Sequence, residues 1–267
     1  MTQEDASSKT MSKLRRMLVS THEFDEGQCL KIIESGIDVN ARDDEPFLHS
    51  AVRYGRPLSI LHALLGNGAD IEKRNKEGET PLFVAVSNRE FYHLQALIAR
   101  KADVNALNEN GTSPLVKALR RGDHYIIDSL IDHGADVRQK DVGGIVISPL
   151  IIAVESGLPI RVIERILNHG ADVNERDEQG WTALMQAAQV DCDAAFLQAL
   201  LDKGANPCMK DDQGRTAATI AGNIGWTDTQ KFLQDAERRY TEKTFKKADA
   251  KGTPRARKII RKKKPQP

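Results

Sequence analysis

Disulfide chemistry, membrane spanning and zinc coordination all lack the residues they need in this chain. Three cysteines, Cys29, Cys192 and Cys208, are scattered and odd in number, which excludes a disulfide framework and offers no zinc-ligand spacing. They read as reduced thiols of an intracellular protein. No uninterrupted apolar run reaches the roughly 18 residues of a membrane-spanning helix. The start, "MTQEDASSKT", has no apolar stretch like that of a secretory signal. Neither GxxxxGK[ST] nor GxGxxG occurs, so no phosphate loop is expected, and there is no Gly-x-Ser-x-Gly elbow and no HExxH pair. Only 5% of the residues are aromatic.

What is present is charge, unevenly placed. From Lys243 to the end there are 11 Lys and Arg against one acid, Asp249, which leaves 28 basic and 37 acidic side chains before it. The tail therefore carries +10 and the body −9. These are two physically different objects on one chain.

The body repeats itself. "SGIDVN" at 35 is echoed by "NGADIE" at 67, "RKADVN" at 100, "HGADVR" at 133, "HGADVN" at 169 and "KGANPC" at 203. The acidic position falls at Asp38, Asp70, Asp103, Asp136 and Asp172, with Asn206 in the sixth copy, at gaps of 32, 33, 33, 36 and 34. A second phrase keeps step: "EPFLH" at 45, "TPLF" at 80, "SPLV" at 113, "SPLI" at 148, "TALM" at 182 and "TAAT" at 216. A period near 33 marks stacked supersecondary units.

Each phrase has a mechanical reading. Thr80, Ser113 and Ser148 suit helix N-caps, with Pro81, Pro114 and Pro149 at the first helical position, where a missing N–H costs nothing. Apolar pairs four residues apart follow, as in Ile60, Leu61, Leu64 and Leu65, or Val162, Ile163, Ile166 and Leu167, and they paint one face of a second helix. The Gly of the hexapeptide suits the left-handed position that ends it. The recurring Asp suits local turn bonding. Turns with Gly then close each unit: "NKEG", "NENG", "DEQG" and "DDQG".

With turn-Gly, T-P-L-H, an Ala-rich first helix, a Leu-Leu second helix and G-A-D-V-N in order, the sequence resembles the ankyrin-repeat family over about residues 12–241. The resemblance implies an all-α solenoid of antiparallel helix pairs with projecting hairpin-like turns, in which stability comes from stacking neighbours. We divide the chain into a flexible N-terminus at 1–11, a cap at 12–40, repeats at 41–72, 73–105, 106–138, 139–174 and 175–208, a cap at 209–241, and a disordered basic tail at 242–267. Departures stand out against this ruler. The first turn, "ARDDE", lacks Gly and is short. Lys101 replaces a Gly. "KDVGGIVIS" is long and apolar. Pro57 and Pro159 start second helices.

No chemistry emerges. His133 and His169 precede Gly at helix ends, where a cation is favourable. His49 holds the T-P-L-H place, where the resemblance implies bonding between neighbouring turns. The carboxylates recur at equivalent positions, whereas a catalytic pair needs unlike environments. No catalytic, cofactor or metal residue is assigned, and no cofactor is expected. The resemblance implies protein partners held by turn tips and first-helix residues. Among these, Trp, Tyr and Arg are the usual energetic anchors. The candidates are Arg53, Tyr54, Arg120, Arg121, Ile145, Trp181 and Gln189. For the tail, Arg255, Arg257, Lys258, Arg261, Lys262, Lys263 and Lys264 have three readings: a solvated counterweight to the acidic body, a binder of nucleic acid or another polyanion, or a nuclear address in "RKIIRKKK". The sequence thus reads as a non-catalytic, cytoplasmic scaffold or adaptor. It is expected to be monomeric and without membrane insertion, and nuclear where a eukaryotic cell imports it.

Overall fold

A computed structural model describes the backbone of residues 3–41, 45–139 and 147–250, and the side chains of these stretches from residue 8 to residue 247. The fold is all-α, with fourteen helices among the described residues. They fall into two compact units, Met1–Ile152 and Ala153–Pro267, divided inside α9 (Pro149–Glu155).

In the first unit the helices come in pairs: α1 (Gln3–Val19) with α2 (Glu26–Glu34), α3 (Phe47–Arg53) with α4 (Leu58–Gly66), α5 (Pro81–Asn88) with α6 (Phe91–Ala99), and α7 (Pro114–Arg121) with α8 (His124–Asp132). The first helices α1, α3, α5 and α7 pack in one row and the second helices α2, α4, α6 and α8 in another. The second unit holds α10 (Ile160–Asn168), then α11 (Ala183–Gln189) with α12 (Ala194–Asp202), and α13 (Ala217–Ile224) with α14 (Thr227–Ala250).

The caps form as the sequence predicts. The hydroxyls of Thr80, Ser113, Thr182 and Thr216 accept from the backbone N–H three residues on, and Ser148 does the same at the start of α9. Pro81 and Pro114 occupy the first turn of their helices. At the end of α4 the N–H of Ala69 reaches back to the Leu64 carbonyl at 2.9 Å and Gly68 bonds to Leu65, the paired closure that a left-handed residue permits. Lys101 holds that same conformation at φ 69° without being Gly, as its alignment with Gly68 and Gly134 requires. Two more such residues were not foreseen: Arg89 (φ 61°) and Asp191 (φ 51°) stand where Gly55, Gly122, Gly157 and Gly225 end the other first helices.

Burial explains the composition of the two rows. First helices inside the stack are covered almost all round: every residue from Pro81 to Val86 is buried, whereas among the described residues of α1 only Leu14, Met17 and Leu18 are. Second helices bury one face, for example Ile60, Leu61 and Leu64, or Val162, Ile163 and Ile166. The last member of three apolar sets, Leu65, Leu167 or Leu201, is only half-buried at the rim, whereas Ile131 of α8 is buried.

Both ends differ from the sequence-based boundaries. Helix α1 already begins at Gln3, so residues 3–11 belong to the first helix; no Gly or Pro interrupts "QEDASSKTMSKLRRMLV". Helix α14 runs to Ala250, so residues 242–250 are helical where a disordered tail was expected. The segment contains no helix breaker before Gly252 and Pro254. The short first turn at residues 42–44, most of the long fourth turn and the tail from 251 onward lie outside the described residues.

Candidate partner-binding surface

Four turns share one construction. In each, the first residue's side chain accepts the N–H groups two and four positions on. Asn75 Oδ1 takes those of Glu77 and Glu79 at 3.0 and 2.9 Å, and Asn108 those of Asn110 and Thr112 at 3.1 and 3.0 Å. In the second unit Asp177 takes Gln179 and Trp181 at 2.9 and 2.7 Å, and Asp211 takes Gln213 and Arg215 at 3.0 and 2.8 Å. The backbone closes each loop as well, for example Asn75 N–H to the Glu79 carbonyl at 3.0 Å. A left-handed Gly then turns the chain, with Gly78 at φ 68° and Gly214 at φ 76°. Asp211 is buried, which by itself would raise its pKa. The Arg215 N–H and guanidinium outweigh that and hold the carboxyl below its usual value.

Neighbouring turns are fastened together. Arg74 donates to the Gly78 carbonyl at 2.6 Å and to the Leu107 carbonyl of the next turn. The equivalent Arg176 donates to the carbonyls of Gly180 and Lys210 at 3.1 and 3.0 Å and pairs with Asp212 at 3.0 Å. His49 Nε2 donates to the Glu79 carbonyl at 2.8 Å, as the family resemblance implied. The Asn of "DVN" works the same way: Asn105 Nδ2 donates to the Gly134 carbonyl at 3.1 Å and its Oδ1 accepts from Asp136 N–H at 2.8 Å. Asn40 and Asn174 repeat both bonds. Where Glu72 replaces Asn it only accepts, from Asp103 N–H at 2.7 Å. Burial, with Asp103 and Asp70 close by, raises the Glu72 pKa against the pull of that N–H.

The candidate residues divide by these duties. Arg53 is half-buried in an ion pair with Glu45 at 2.8 Å, with Glu77 and Glu79 near 4.0 and 3.9 Å. Tyr54 beside it is 42% exposed. Arg120 and Arg121 are exposed at the end of α7, and the Arg121 carbonyl accepts from Arg89 at 3.0 Å. In the second unit Trp181 is half-buried with the Arg215 guanidinium 5.6 Å from its ring centre, so the ring lies against the next turn. Gln189 is exposed at the end of α11, and its carbonyl accepts from Trp226 Nε1 at 3.4 Å. In the first unit these residues sit at the ends of α3 and α7, and in the second on one turn and at the end of α11. Ile145 and the tail candidates Arg255, Arg257, Lys258, Arg261, Lys262, Lys263 and Lys264 lie outside the described residues.

The sequence reading missed two aromatics. Tyr92 and Tyr125 are 74% and 78% exposed at equivalent places in α6 and α8, and Phe91 meets both rings edge-on, at 5.9 and 6.3 Å. Their signal was an aromatic just ahead of each apolar set, on helices from which no candidate was drawn.

The histidines and cysteines have structural settings. His133 and His169 donate from Nδ1 to the carbonyl four residues back, both at 2.8 Å. His93 Nε2 bonds to the Arg56 carbonyl at 2.7 Å, and Arg56 in turn donates to Leu18 and Ser20 carbonyls at 2.7 and 2.9 Å. Burial pushes the Cys192 thiol up to about 11, with Asp193 and Asp191 adding to it, so it is protonated at neutral pH. Among the described residues no group of three His, Cys, Asp or Glu is placed to hold a metal. No helix there is long and apolar enough to cross a membrane.

Comparison with known proteins agrees with this geometry. The family model of ankyrin repeats, three copies long, matches residues 48–141 and 150–244, more than half of the chain. The chain belongs to the ankyrin-repeat family. Over 57 residues it is 46% identical to an ankyrin repeat-containing protein of Schizosaccharomyces pombe, a match covering 21% of this chain and 27% of that one. Over 58 residues it is 41% identical to the mouse (Mus musculus) 2-5A-dependent ribonuclease, covering 21% of this chain and 8% of the enzyme. The matches thus span about a quarter or less of these relatives. Among solved structures, the ankyrin repeat domain of Bcl-3, a member of the IkappaB protein family, superposes with a TM-score of 0.70 at 23% identity, over 83% of this chain and 97% of that one. A structure of the predatory endopeptidase Bd0816 of Bdellovibrio bacteriovorus in complex with the immunity protein Bd3460 contains a chain matching at TM-score 0.64 and 24% identity, over 70% of this chain and 96% of that one. At these identities the likeness is one of ankyrin fold.

Proposed function

We propose that this ankyrin-repeat protein is a non-catalytic scaffold or adaptor that binds another protein along its turn tips and the exposed ends of its first helices. The observation that carries this reading is the division of labour in the turns. Asn75, Asn108, Asp177 and Asp211 hold the loop backbones, and Arg74 and Arg176 tie neighbours together. The outward residues Lys76, Glu77, Glu109, Asn110, Glu178 and Gln213 are exposed on loops that these bonds preorganise. Rigid loops bind at lower entropic cost than mobile ones. The similar chain in the Bdellovibrio structure comes from a complex between two proteins, which fits the same use of the fold. Cys29, Cys192 and Cys208 are free thiols, in keeping with a reducing, cytoplasmic setting.

The test is cross-linking pull-down from the native cell. A variant with Lys76, Glu77, Glu109 and Asn110 all changed to Ala is compared with the unaltered protein. We expect a reproducible partner that is lost with these four side chains while the thermal melt is unchanged. Full retention of the partner moves the site off these tips. Substrate turnover traced to the purified protein sinks the non-catalytic reading.

A further inference from the structure

Helix α14 continues past its contact with Cys208, whose Sγ lies 3.8 Å from the Glu237 carbonyl and 3.7 Å from Thr241 Oγ1, with little further burial. Leu233 is buried, and Phe232 and Ala236 are half-buried, in the pair that α14 forms with α13 beside α12. From Arg238 to Lys247 every residue but Phe245 is exposed. On this length Arg239, Lys243, Lys246 and Lys247 stand at spacings of four, three and one, which at 3.6 residues per turn places them within an arc of about 100° over about 12 Å. They edge one shallow surface hollow with Glu242. Among the described residues no ion pair neutralises any of the four, although neighbours such as Arg238 do pair, with Asp235. Like charges at these spacings destabilise a helix. An external anion relieves that cost. Beyond Ala250 the sequence adds eight Lys and Arg, no acid and no aromatic.

We propose that the exposed end of α14 binds double-stranded nucleic acid through its phosphates, without sequence preference. Duplex DNA presents one charge per about 1.7 Å, so a 12 Å row of cations faces several phosphates at once. Other anionic surfaces fit less well. A helix lying on a membrane needs a broad apolar face, and this length offers Phe245 alone after Tyr240; Thr241 and Thr244 turn their hydroxyls to the carbonyls of Glu237 and Tyr240, both in their own helix. Single strands are held by stacking on aromatics, and none follows Phe245. The −9 body repels a polyanion, which confines contact to this end. The proposal is independent of the turn-tip surface, so either stands if the other fails.

The experiment measures binding of the full-length chain to a short mixed-sequence DNA duplex, by fluorescence anisotropy across a salt series. A full-length variant with Lys243→Gln, Lys246→Gln and Lys247→Gln accompanies it. Affinity is expected to fall steeply with salt. The α14 variant should lower the slope of log K against log salt by about 3, at about 0.9 for each phosphate no longer neutralised, with circular dichroism unchanged. Absence of salt-sensitive duplex binding overturns the proposal. So does a slope that the α14 variant leaves unchanged, or tighter binding to anionic phosphatidylserine vesicles or to polyglutamate than to the duplex.

Discussion

Replacing Asn105 by Ala removes two hydrogen bonds that cross from one ankyrin repeat to the next, and nothing from the apolar core. The carboxamide donates to the Gly134 carbonyl at 3.1 Å and accepts from the Asp136 N–H at 2.8 Å. A neutral bond of this kind is worth about 0.5–1.5 kcal/mol net. Gly134 and Asp136 are exposed, so water takes the place of the carboxamide and the cost stays near the low end for each. The expected loss is about 1–2 kcal/mol, read as a lower urea midpoint at similar m. Amide exchange supplies a local check, because the Asp136 N–H loses its acceptor and should exchange faster than that of Asp103, whose acceptor is Glu72. Asn105→Asp keeps the acceptor but loses the donor and sets a carboxylate against the Gly134 carbonyl, so it should fall between Ala and the natural residue. If Asn105→Ala costs less than about 0.3 kcal/mol and leaves Asp136 exchange unaltered, the inter-repeat ladder contributes nothing measurable, and the argument that these asparagines couple the units is wrong.

Lys101→Gly should stabilise the protein by about 0.5 kcal/mol in urea unfolding: the left-handed backbone costs a side-chain-bearing residue about 1–2 kcal/mol, partly offset by the freer unfolded chain of Gly. Gly78→Ala should destabilise by at least about 1 kcal/mol and shift the NMR signals of the neighbouring turn, since a Cβ there meets the Glu109 backbone nitrogen at 2.7 Å. His49 is buried, and burial lowers its pKa; its Nδ1 has no partner among the described residues. The unfolded chain therefore takes up the proton first, and stability falls as pH drops from the ordinary histidine value of about 6.5 through the lower folded value. His49→Gln should flatten that part of the stability profile.

Some residues announced their roles locally. Thr80 and Ser113 cap because a hydroxyl three residues from an unpaired N–H needs no distant partner. Lys101 could be assigned a left-handed backbone by alignment alone. Arg89 and Asp191 align in the same way with Gly55 and Gly122, at the ends of first helices. Arg74 stands in a turn and acts as a clamp that no local pattern marks, because its acceptor Leu107 lies 33 residues on. Trp181 looked like an anchor for a partner and meets Arg215, again one repeat away.

By itself the sequence determined the ankyrin period, the caps, the Gly closures of the second helices and the buried faces, all of which depend on contacts within a few residues and recur copy after copy. Tertiary structure alone decided which polar side chains are spent on fastening neighbours and which remain on the surface. It alone showed that Tyr92 and Tyr125 stand exposed and that α14 carries its cations beyond the last repeat. The physical reason is distance along the chain: a bond or a covering surface supplied by the next repeat lies some thirty residues away, and the local pattern is the same whether that neighbour takes up the side chain or leaves it free.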